Sequence, residues 1–524
     1  MRTALAGCFA ATALAIACAA SAHHSFAMFD QSKQVPLTGT IREFQWTNPH
    51  AFIHIDVPNT EGASDLWKVE LNSPNNLKRQ GWKSSELKPG DKVTVVINPL
   101  RDGSKGGLFV VPLANPEGAH LEFPPTGTAY REHPESHVLW RWIGLHAPDL
   151  VLVSGDDEPG LAAALAREPA AEVGRIPARR LTTRDLATLR ASGIAPSEAD
   201  LEMQRRRARS PLALAQELAG YYGHEFKQPI YIDAIALIAQ LRLGHLEEVK
   251  HLVEPYVSGD RDSLERPSSL VLAGHTVFAE LARRTGDPRY LARVRAAADL
   301  GFEPDGRLKE AMPYHGEFSD SVFMGTVMLA EAGALTGERR YFDMAARHIR
   351  FMQRLVLRPD GLYRHQPSTD AAWGRGNAFA ALGLAWVLAD FPHDHPDYPW
   401  ILRSYQDHMA RLAQFQNEDG LWRNVIDYPG AYAEFSATAM IAWAMQRGLE
   451  NGWLPAAPYS RIVQRAWIAV AERAGSGGRL VDVCESTARM GSLGEYLHRA
   501  ALLGQDPRGG AMALLLATEL AGLK

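Results

Sequence analysis

The sequence has little cysteine: three residues in 524, two of which, Cys8 and Cys18, stand within the first twenty. That excludes a disulfide-built scaffold; a chain this long buries enough apolar surface to fold without one. No charge sign dominates either. Lys and Arg number 55 against 60 Asp and Glu, a net of −5, so the electrostatic footprint of a nucleic-acid binder is missing. The one dense basic run, Arg205, Arg206, Arg207 and Arg209, reads as a solvated linker face ahead of a helical pattern. Beyond the N-terminus no apolar run is long enough to span a bilayer. What is present is ordinary globular composition, 46% hydrophobic and 22% charged, which excludes a largely disordered or fibrous chain. The length suggests roughly two to four domains.

The N-terminus has the order of a secretory signal peptide. Arg2 is followed by an apolar stretch from Ala4 to Ala20 and an A-x-A site at Ala20-Ser21-Ala22. A signal peptide over 1–22 is therefore expected, with a periplasmic or secreted mature chain that begins at His23 and keeps only Cys484. Leu5-Ala6-Gly7-Cys8 and Ala15-Ile16-Ala17-Cys18 also read as lipoprotein-like boxes, which leaves lipidation at Cys18 open.

Three regions follow. Residues 23–115 alternate in the manner of short strands, as in Ala51-Phe52-Ile53-His54-Ile55-Asp56-Val57 and Trp67-Lys68-Val69-Glu70-Leu71, with a turn at Pro89-Gly90-Asp91 before a β-branched run. This predicts a small all-β barrel or sandwich. Residues 116–210 read as an α/β segment or linker, with helical patterns at 138–145 and 161–167 around a strand at 150–153. From 211 to 524 apolar residues recur at three and four, as in 228–243, 268–286, 318–336, 339–355, 377–390 and 435–449. The phrase T-G-(D/E)-x-R-Y appears at 285–290 and again at 336–341, an internal repeat of about 50 residues. About twelve helices over this length fit six helical hairpins closed into a ring.

Two clusters carry candidate chemistry. In Phe318-Ser319-Asp320-Ser321-Val322-Phe323-Met324, Asp320 shares a helical face with Phe323, Met324 and Val327. Such a carboxylate is either a helix cap or a buried acid, and burial would raise its pKa into the range of a general acid. Gly361-Leu362-Tyr363-Arg364-His365 and Trp373-Gly374-Arg375-Gly376-Asn377 precede an apolar helix. There a Trp can stack on a sugar, an Arg can clamp a carboxylate and an Asn can cap a helix; a glycine-rich helix entry with an exposed Arg is the plainer alternative, and His365 alone reads as a structural loop residue.

Over roughly 220–524 these motifs, together with Gln416, Gly420-Leu421-Trp422, Glu434-Phe435-Ser436-Ala437-Thr438-Ala439-Met440, and Tyr496 with His498-Arg499, resemble the unsaturated glycuronyl hydrolases, glycoside hydrolase families 88 and 105. The resemblance implies an (α/α)6 barrel. It also implies removal of a non-reducing-end 4,5-unsaturated uronic acid, of the rhamnogalacturonyl or glucuronyl type, from lyase-generated oligosaccharides, by hydration of the double bond and without metal or organic cofactor. Asp320 would be the acid/base. His365, Trp373, Arg375 and Asn377 would line the unsaturated-sugar subsite, with Arg375 on the uronate carboxylate and Asn377 able to share that work. The opening His23-His24-Ser25-Phe26, with Thr47-Asn48-Pro49-His50, resembles an uncharacterised periplasmic family of small β domains.

The sequence departs from the pattern in places. The family's second Asp, on an earlier inner helix, has no counterpart in Pro267-Ser268-Ser269-Leu270-Val271-Leu272-Ala273-Gly274, unless Asp262 or Glu265 supplies it. Phe379 and Phe435 replace a common Trp and Thr. A catalytically silent carbohydrate-binding barrel therefore stays as an alternative. So does a periplasmic metal- or ligand-binding protein acting through His23, His24, His50 and His54. The oligosaccharide is the expected partner, with no nucleic acid and no membrane span; the oligomeric state stays open.

Overall fold

The computed structural model describes residues 28–110 except 31, 32, 34, 48, 49, 60, 61, 72, 73, 75, 76, 78–83 and 86, then 121–125, 134–153, 160–181, and 194–523 except 498. The expected signal peptide, Cys8, Cys18, His23, His24 and His498 lie outside the described residues. The chain divides into two compact units, Met1–Gly118 and Ala119–Lys524.

The first unit carries a closed five-stranded barrel of β1 (Val35–Gln45), β2 (Phe52–Pro58), β3 (Ser64–Glu70), β4 (Lys92–Pro99) and β5 (Gly106–Val110), in the order β1-β2-β3-β5-β4. Strand β1 is long because it pairs with β4 along its first half and β2 along its second. It bends at a register shift between Ile41 and Glu43. Gly39 lies just before the bend, where a Cβ would strike the Asp56 carbonyl. The alternation read at 51–57 sends Ile53 and Ile55 into the core with Ile41, Val69 and Ile97. Only β3 and β5 run parallel, which makes this a small Greek-key barrel of the OB type.

The second unit opens with α1 (Pro134–His146), β6 (Val151–Val153), α2 (Leu161–Arg167), β7 (Ala178–Arg180) and α3 (Glu198–Ala208). Trp140, Ile143, Leu165, Ile176 and Met203 give this segment a small core of its own. One sequence expectation is corrected here. Only half of the basic run is a solvated face: Arg205 and Arg207 are exposed, but Arg206 is fully buried and Arg209 nearly so. Arg206 donates to the carbonyls of Glu472 and Glu172, and Arg209 to those of Ala471 and Ala474. An Arg can be buried this way because its fork satisfies several acceptors at once.

The rest is the helical barrel: α4 (Pro211–Ala219), α5 (Tyr231–Arg242), α6 (Leu246–Val257), α7 (Ser269–Gly274), α8 (Thr276–Thr285), α9 (Pro288–Ala298), α10 (Ser321–Met324), α11 (Val327–Thr336), α12 (Arg339–Val356), α13 (Gly374–Asp390), α14 (Tyr398–Ala413), α15 (Phe435–Glu450), α16 (Ala456–Arg473), α17 (Leu493–Leu497) and α18 (Pro507–Leu520). Short strands β8 (Trp422–Arg423), β9 (Ala433–Glu434), β10 (Leu480–Cys484) and β11 (Ala501–Gly504) lie in the loops. Packing runs from α5 to α7–α8, α10–α11, α13, α15 and α18, and back to α5, closing an inner ring of six. Helices α6, α9, α12, α14, α16 and α4 back these from outside, one each. This is the (α/α)6 architecture.

The repeat at 285–290 and 336–341 has a physical basis. Gly286 and Gly337 end α8 and α11 in the left-handed conformation, with φ of 70° and 73°, where a side chain is disfavoured. Thr285 and Thr336 each accept the N–H two residues on. Tyr290 and Tyr341 then return the outer helix to the core, both buried. The sequence pattern merged two pairs that the structure separates. The stretches 268–286 and 318–336 are each two helices, broken at His275 and at Gly325-Thr326. At both breaks a Thr hydroxyl bonds a carbonyl of the preceding turn, Thr276 to Ala273 and Thr326 to Val322, which disturbs the helical ladder.

The C-terminal ends of the inner helices enclose a cavity of about 160 Å³ lined by Arg242, Arg283, Arg447, Glu280, Glu331 and Asp390 among others. Arg283 pairs with Glu331 and Asp390, and Arg242 and Arg447 with Glu519. Burial, with the nearby charges of Asp390 and Glu280, pushes Glu331 well above its ordinary 4.5. A raised folded-state pKa gives stability that is complete below the unfolded value and lost as pH rises through the folded one. Glu331→Gln should therefore flatten the decline of melting temperature between pH 5 and 9. Parallel wild-type and variant profiles would show the proton is not held there.

Candidate active site

The opposite mouth of the ring, where the inner helices begin, holds Asp320. It stands at the start of α10 but caps nothing: its side chain makes no hydrogen bond to the helix N–H groups. Of the two roles open to this carboxylate, the structure shows the buried acid. Burial, opposed by the charges of Arg375 and Arg499, pushes its pKa up to about 7 from 3.8. The approach to Asp320 is strained. Tyr314, Gly316 and Glu317 take positive φ of 64°, 56° and 60°, and Ser319 N–H then bonds the His365 carbonyl at 3.0 Å. That bond joins the two sequence clusters.

His365 is fully buried, with Nε2 3.5 Å from Asp320 Oδ1. Its Nδ1 meets the Tyr496 hydroxyl at 2.6 Å. The ring stacks on Phe318 at 4.8 Å and 17°, and packs against Trp373 at 4.4 Å. Burial, with the charges of Arg499, Arg375 and Arg489, pushes its pKa down to about 3, so the imidazole is neutral at physiological pH. Arg375 is buried too. Its Nε donates to Ser436 Oγ at 2.9 Å and its Nη2 to the Cys484 carbonyl, with Glu434 at 3.8 Å. Glu434 is held in turn by the N–H groups of Ser436, Ala437 and Cys484.

Five buried polar atoms here lack a well-formed hydrogen bond: Ser319 Oγ, Asp320 Oδ1, His365 Nε2, Arg375 Nη1 and Arg499 Nε. They come from three loops and the first turn of α13. Buried polar groups are normally satisfied, so five such atoms gathered around one acid mark a place built to receive a polar guest. Gly376 makes room for it: a Cβ there would lie 2.5 Å from Ser319 Oγ and 3.7 Å from Asp320 Oδ1. Gly376→Ala is expected to reduce turnover more than it reduces stability, since overpacking costs about 1–3 kcal/mol. Melting temperature measured beside rate would check it.

The structure brings Asp320, His365 and Arg375 together but reassigns two expected residues. Trp373 is fully buried, its indole N–H given to Asn424 Oδ1 at 3.1 Å. It backs His365 and offers no face to a sugar; half-buried Phe318 is the accessible ring. Asn377 is fully buried as well. It accepts from Tyr363 N–H and donates to the carbonyls of Tyr363 and Trp373, so its amide pins the 361–365 loop and has no capacity left for a uronate. Asp262 and Glu265 are exposed, and Asp262 caps its own loop at Leu264, so neither is placed as a buried second acid. Four residues had not been placed in the site from sequence. Tyr496 and Arg499 stand in a quoted motif. Arg489, exposed, lies 4.9 Å over Phe318. Tyr231, at the start of α5, is buried where it feels the charges of Arg375 and Asp320. The last two had no local signal. Elsewhere, His395 pairs with Asp343 and His50 with Glu70. Among the described residues no three His, Cys, Asp or Glu gather as a metal site, and no helix is long and apolar enough to cross a membrane.

Comparison with known proteins finds relatives for both units of the chain. Residues 12–109 match a family of unknown function, DUF6152, and residues 247–524 match Glycosyl Hydrolase Family 88. The unsaturated rhamnogalacturonyl hydrolase YesR of Bacillus subtilis is 28% identical over 265 residues, covering 47% of this chain and 75% of that protein. An unsaturated 3S-rhamnoglycuronyl hydrolase of Formosa agariphila is 33% identical over 110 residues, 21% of this chain and 29% of that one. Among solved structures, a possible member of the GH105 family from Salmonella enterica superposes with a TM-score of 0.51 at 19% identity, over 60% of this chain and 94% of that one; it shares the fold. The family match spans more than half of the chain, and the chain therefore belongs to glycosyl hydrolase family 88.

Proposed function

We propose that the protein is an exported glycoside hydrolase that removes a 4,5-unsaturated uronic acid from the non-reducing end of lyase-generated oligosaccharides. The observation that carries this reading is the cluster of unsatisfied buried polar atoms around an acid whose pKa lies near 7. A carboxyl group that is half protonated at neutral pH can give a proton and take one back within a single turnover. Asp320 protonates C4 of the enol ether, and positive charge develops at C5 and the ring oxygen. Water adds at C5 and returns its proton to the Asp320 carboxylate. The hemiketal opens to a ketone at C5 and a hemiacetal at C1, and the hemiacetal collapses to an aldehyde as its hydroxyl proton passes to the oxygen of the departing sugar. The neutral His365 ring, 3.5 Å away, orients the carboxyl. Arg375 can offer the uronate one nitrogen, Nη1, because its other contacts are taken by the chain. Arg489 supplies a second cation from the exposed side.

The test is loss of enol-ether absorbance with unsaturated disaccharides of the rhamnogalacturonyl and glucuronyl types. Consumption of the double bond supports the reading. If no substrate in the panel is consumed while one still binds, the silent carbohydrate-binding barrel takes its place. Export is tested by N-terminal sequencing of the secreted protein: a start at His23 supports the signal peptide, and acylation at Cys18 replaces it with a lipid anchor.

A further inference from the structure

Residues 121–210 precede the segment matched by the family, and no step of the proposed reaction uses them. Among their described residues, most of the polar contacts with the barrel gather in one region. Arg206 and Arg209 hold the carbonyls of residues 471–474, Glu172 pairs with Arg479, and Arg141 reaches Asp482. These positions run from the last turn of α16 into β10; the Glu172–Arg479 pair is exposed and the Arg141–Asp482 pair is buried.

Asp482 is the unusual member. It takes a φ of 66°, a left-handed conformation that Asp tolerates better than most residues. It sits where the pairing of β10 with β11 slips, between Val481 and Val483, so it is the extra residue of a β-bulge. Its carboxylate accepts from Arg141 Nη1 at 2.7 Å, in a pair that is almost fully buried. Two residues on, the Cys484 carbonyl accepts from Arg375 Nη2, and Cys484 N–H donates to Glu434 at 2.8 Å. The bulge thus sets the backbone that supports Arg375 from behind, and a pair made by a segment outside the family match holds the bulge.

We infer that Arg141 is a positioning residue of the active site: through Asp482 and the β10 bulge it fixes the Cys484 carbonyl, and with it the place of the Arg375 guanidinium beside Asp320. This rests on the reading that Asp320 is the acid and Arg375 its neighbouring cation. A purely structural pair would alter stability and leave the titration of Asp320 unchanged. A positioning pair alters both, because the Arg375 charge holds the Asp320 pKa down.

The experiment compares Arg141→Met, Arg141→Lys, Asp482→Asn and the Met/Asn double variant with wild type and Asp320→Asn. It reads kcat, KM and the pH profile of kcat/KM on an unsaturated disaccharide, with circular dichroism melting as the folding control. Asp482→Asn preserves shape and left-handed tolerance, so it decides the matter if Arg141→Met does not fold. Folded Arg141→Met and Asp482→Asn are expected to lose about 10-fold or more in kcat, since small misplacements near the chemistry can cost up to about 10²-fold. Their basic limb of kcat/KM should move to higher pH as the Arg375 charge recedes. The double variant should be no worse than the worse single, because both act through one contact, and Arg141→Lys should recover part of the loss. Arg207→Ala, which breaks the separate exposed pair with Glu472, should match wild type. A folded Arg141→Met or Asp482→Asn with wild-type kcat and an unmoved basic limb, beside an inactive Asp320→Asn, would overturn the inference and leave the acid assignment standing. An Asp320→Asn as fast as wild type would overturn the acid assignment, and this inference with it.

Discussion

Asp320→Asn should lose turnover by at least about 10²–10⁴-fold, the usual worth of a general acid, while the barrel survives. The structure makes this a clean substitution. The Asp320 side chain accepts from no helix N–H, so the amide removes no cap. Burial also holds the wild-type pKa near 7 against an ordinary 3.8. With a folded pKa raised above the unfolded one, the group's stabilisation is complete below the unfolded value and lost as pH rises through about 7. Above that pH the Asn variant should melt no lower than wild type, having no buried charge to hold. The activity of wild type follows the same proton: kcat/KM should fall as pH rises through about 7, because the step at C4 needs the acid form. A folded Asn variant with wild-type turnover would remove Asp320 from the mechanism.

Arg375→Ala should cost both binding and fold. Its Nη1 is the one nitrogen of this residue free for a uronate, so KM should rise. The larger effect is structural. Ser436 Oγ and the Cys484 carbonyl lose their donor, and fully buried Glu434 loses its nearest cation. Removing one partner of a buried pair typically costs about 3–5 kcal/mol, because the other charge stays behind. Arg375→Lys should recover only part, since a lysine keeps the charge but cannot serve Ser436, Cys484 and the substrate from one rigid fork. Denaturant unfolding of the three proteins checks this; equal stabilities would show that the Glu434 cage stands without the guanidinium.

The helical half was largely readable in the chain. Its inner helices are buried on nearly every side, as in α13 from Gly374 to Leu388, and its outer ones carry one apolar stripe. The glycine that ends α8 and α11 recurs with the tyrosine that begins the return, which is why the repeat could be seen without coordinates. The β alternation was equally visible, although barrel and sandwich share one period and differ only in closure. What could not be seen was the fate of polar side chains. Trp373 and Asn377 had the residue types of a sugar site, yet their hydrogen bonds are spent on Asn424, Tyr363 and the Trp373 carbonyl. Arg206 and Arg209 looked solvated because the carbonyls they hold at Glu472 and Ala474 lie about 265 positions away.

Local spacing and residue type were enough for a small β region ahead of a ring of hairpins, and for singling out Asp320 as either a cap or a buried acid, since period, capping and turn chemistry act within a few residues. Whether Asp320 would cap a helix or be desolvated depended on what folds over it. His365, Phe318, Tyr496, Arg499 and Arg489 come from three separate stretches of chain, and Tyr231 from a fourth. Desolvation and Coulomb interactions are set by distance through space. Sequence separation carries no record of that distance, so the pKa of the acid, the neutrality of its histidine and the support reaching Arg375 from Arg141 emerged only once the chain was closed into a barrel.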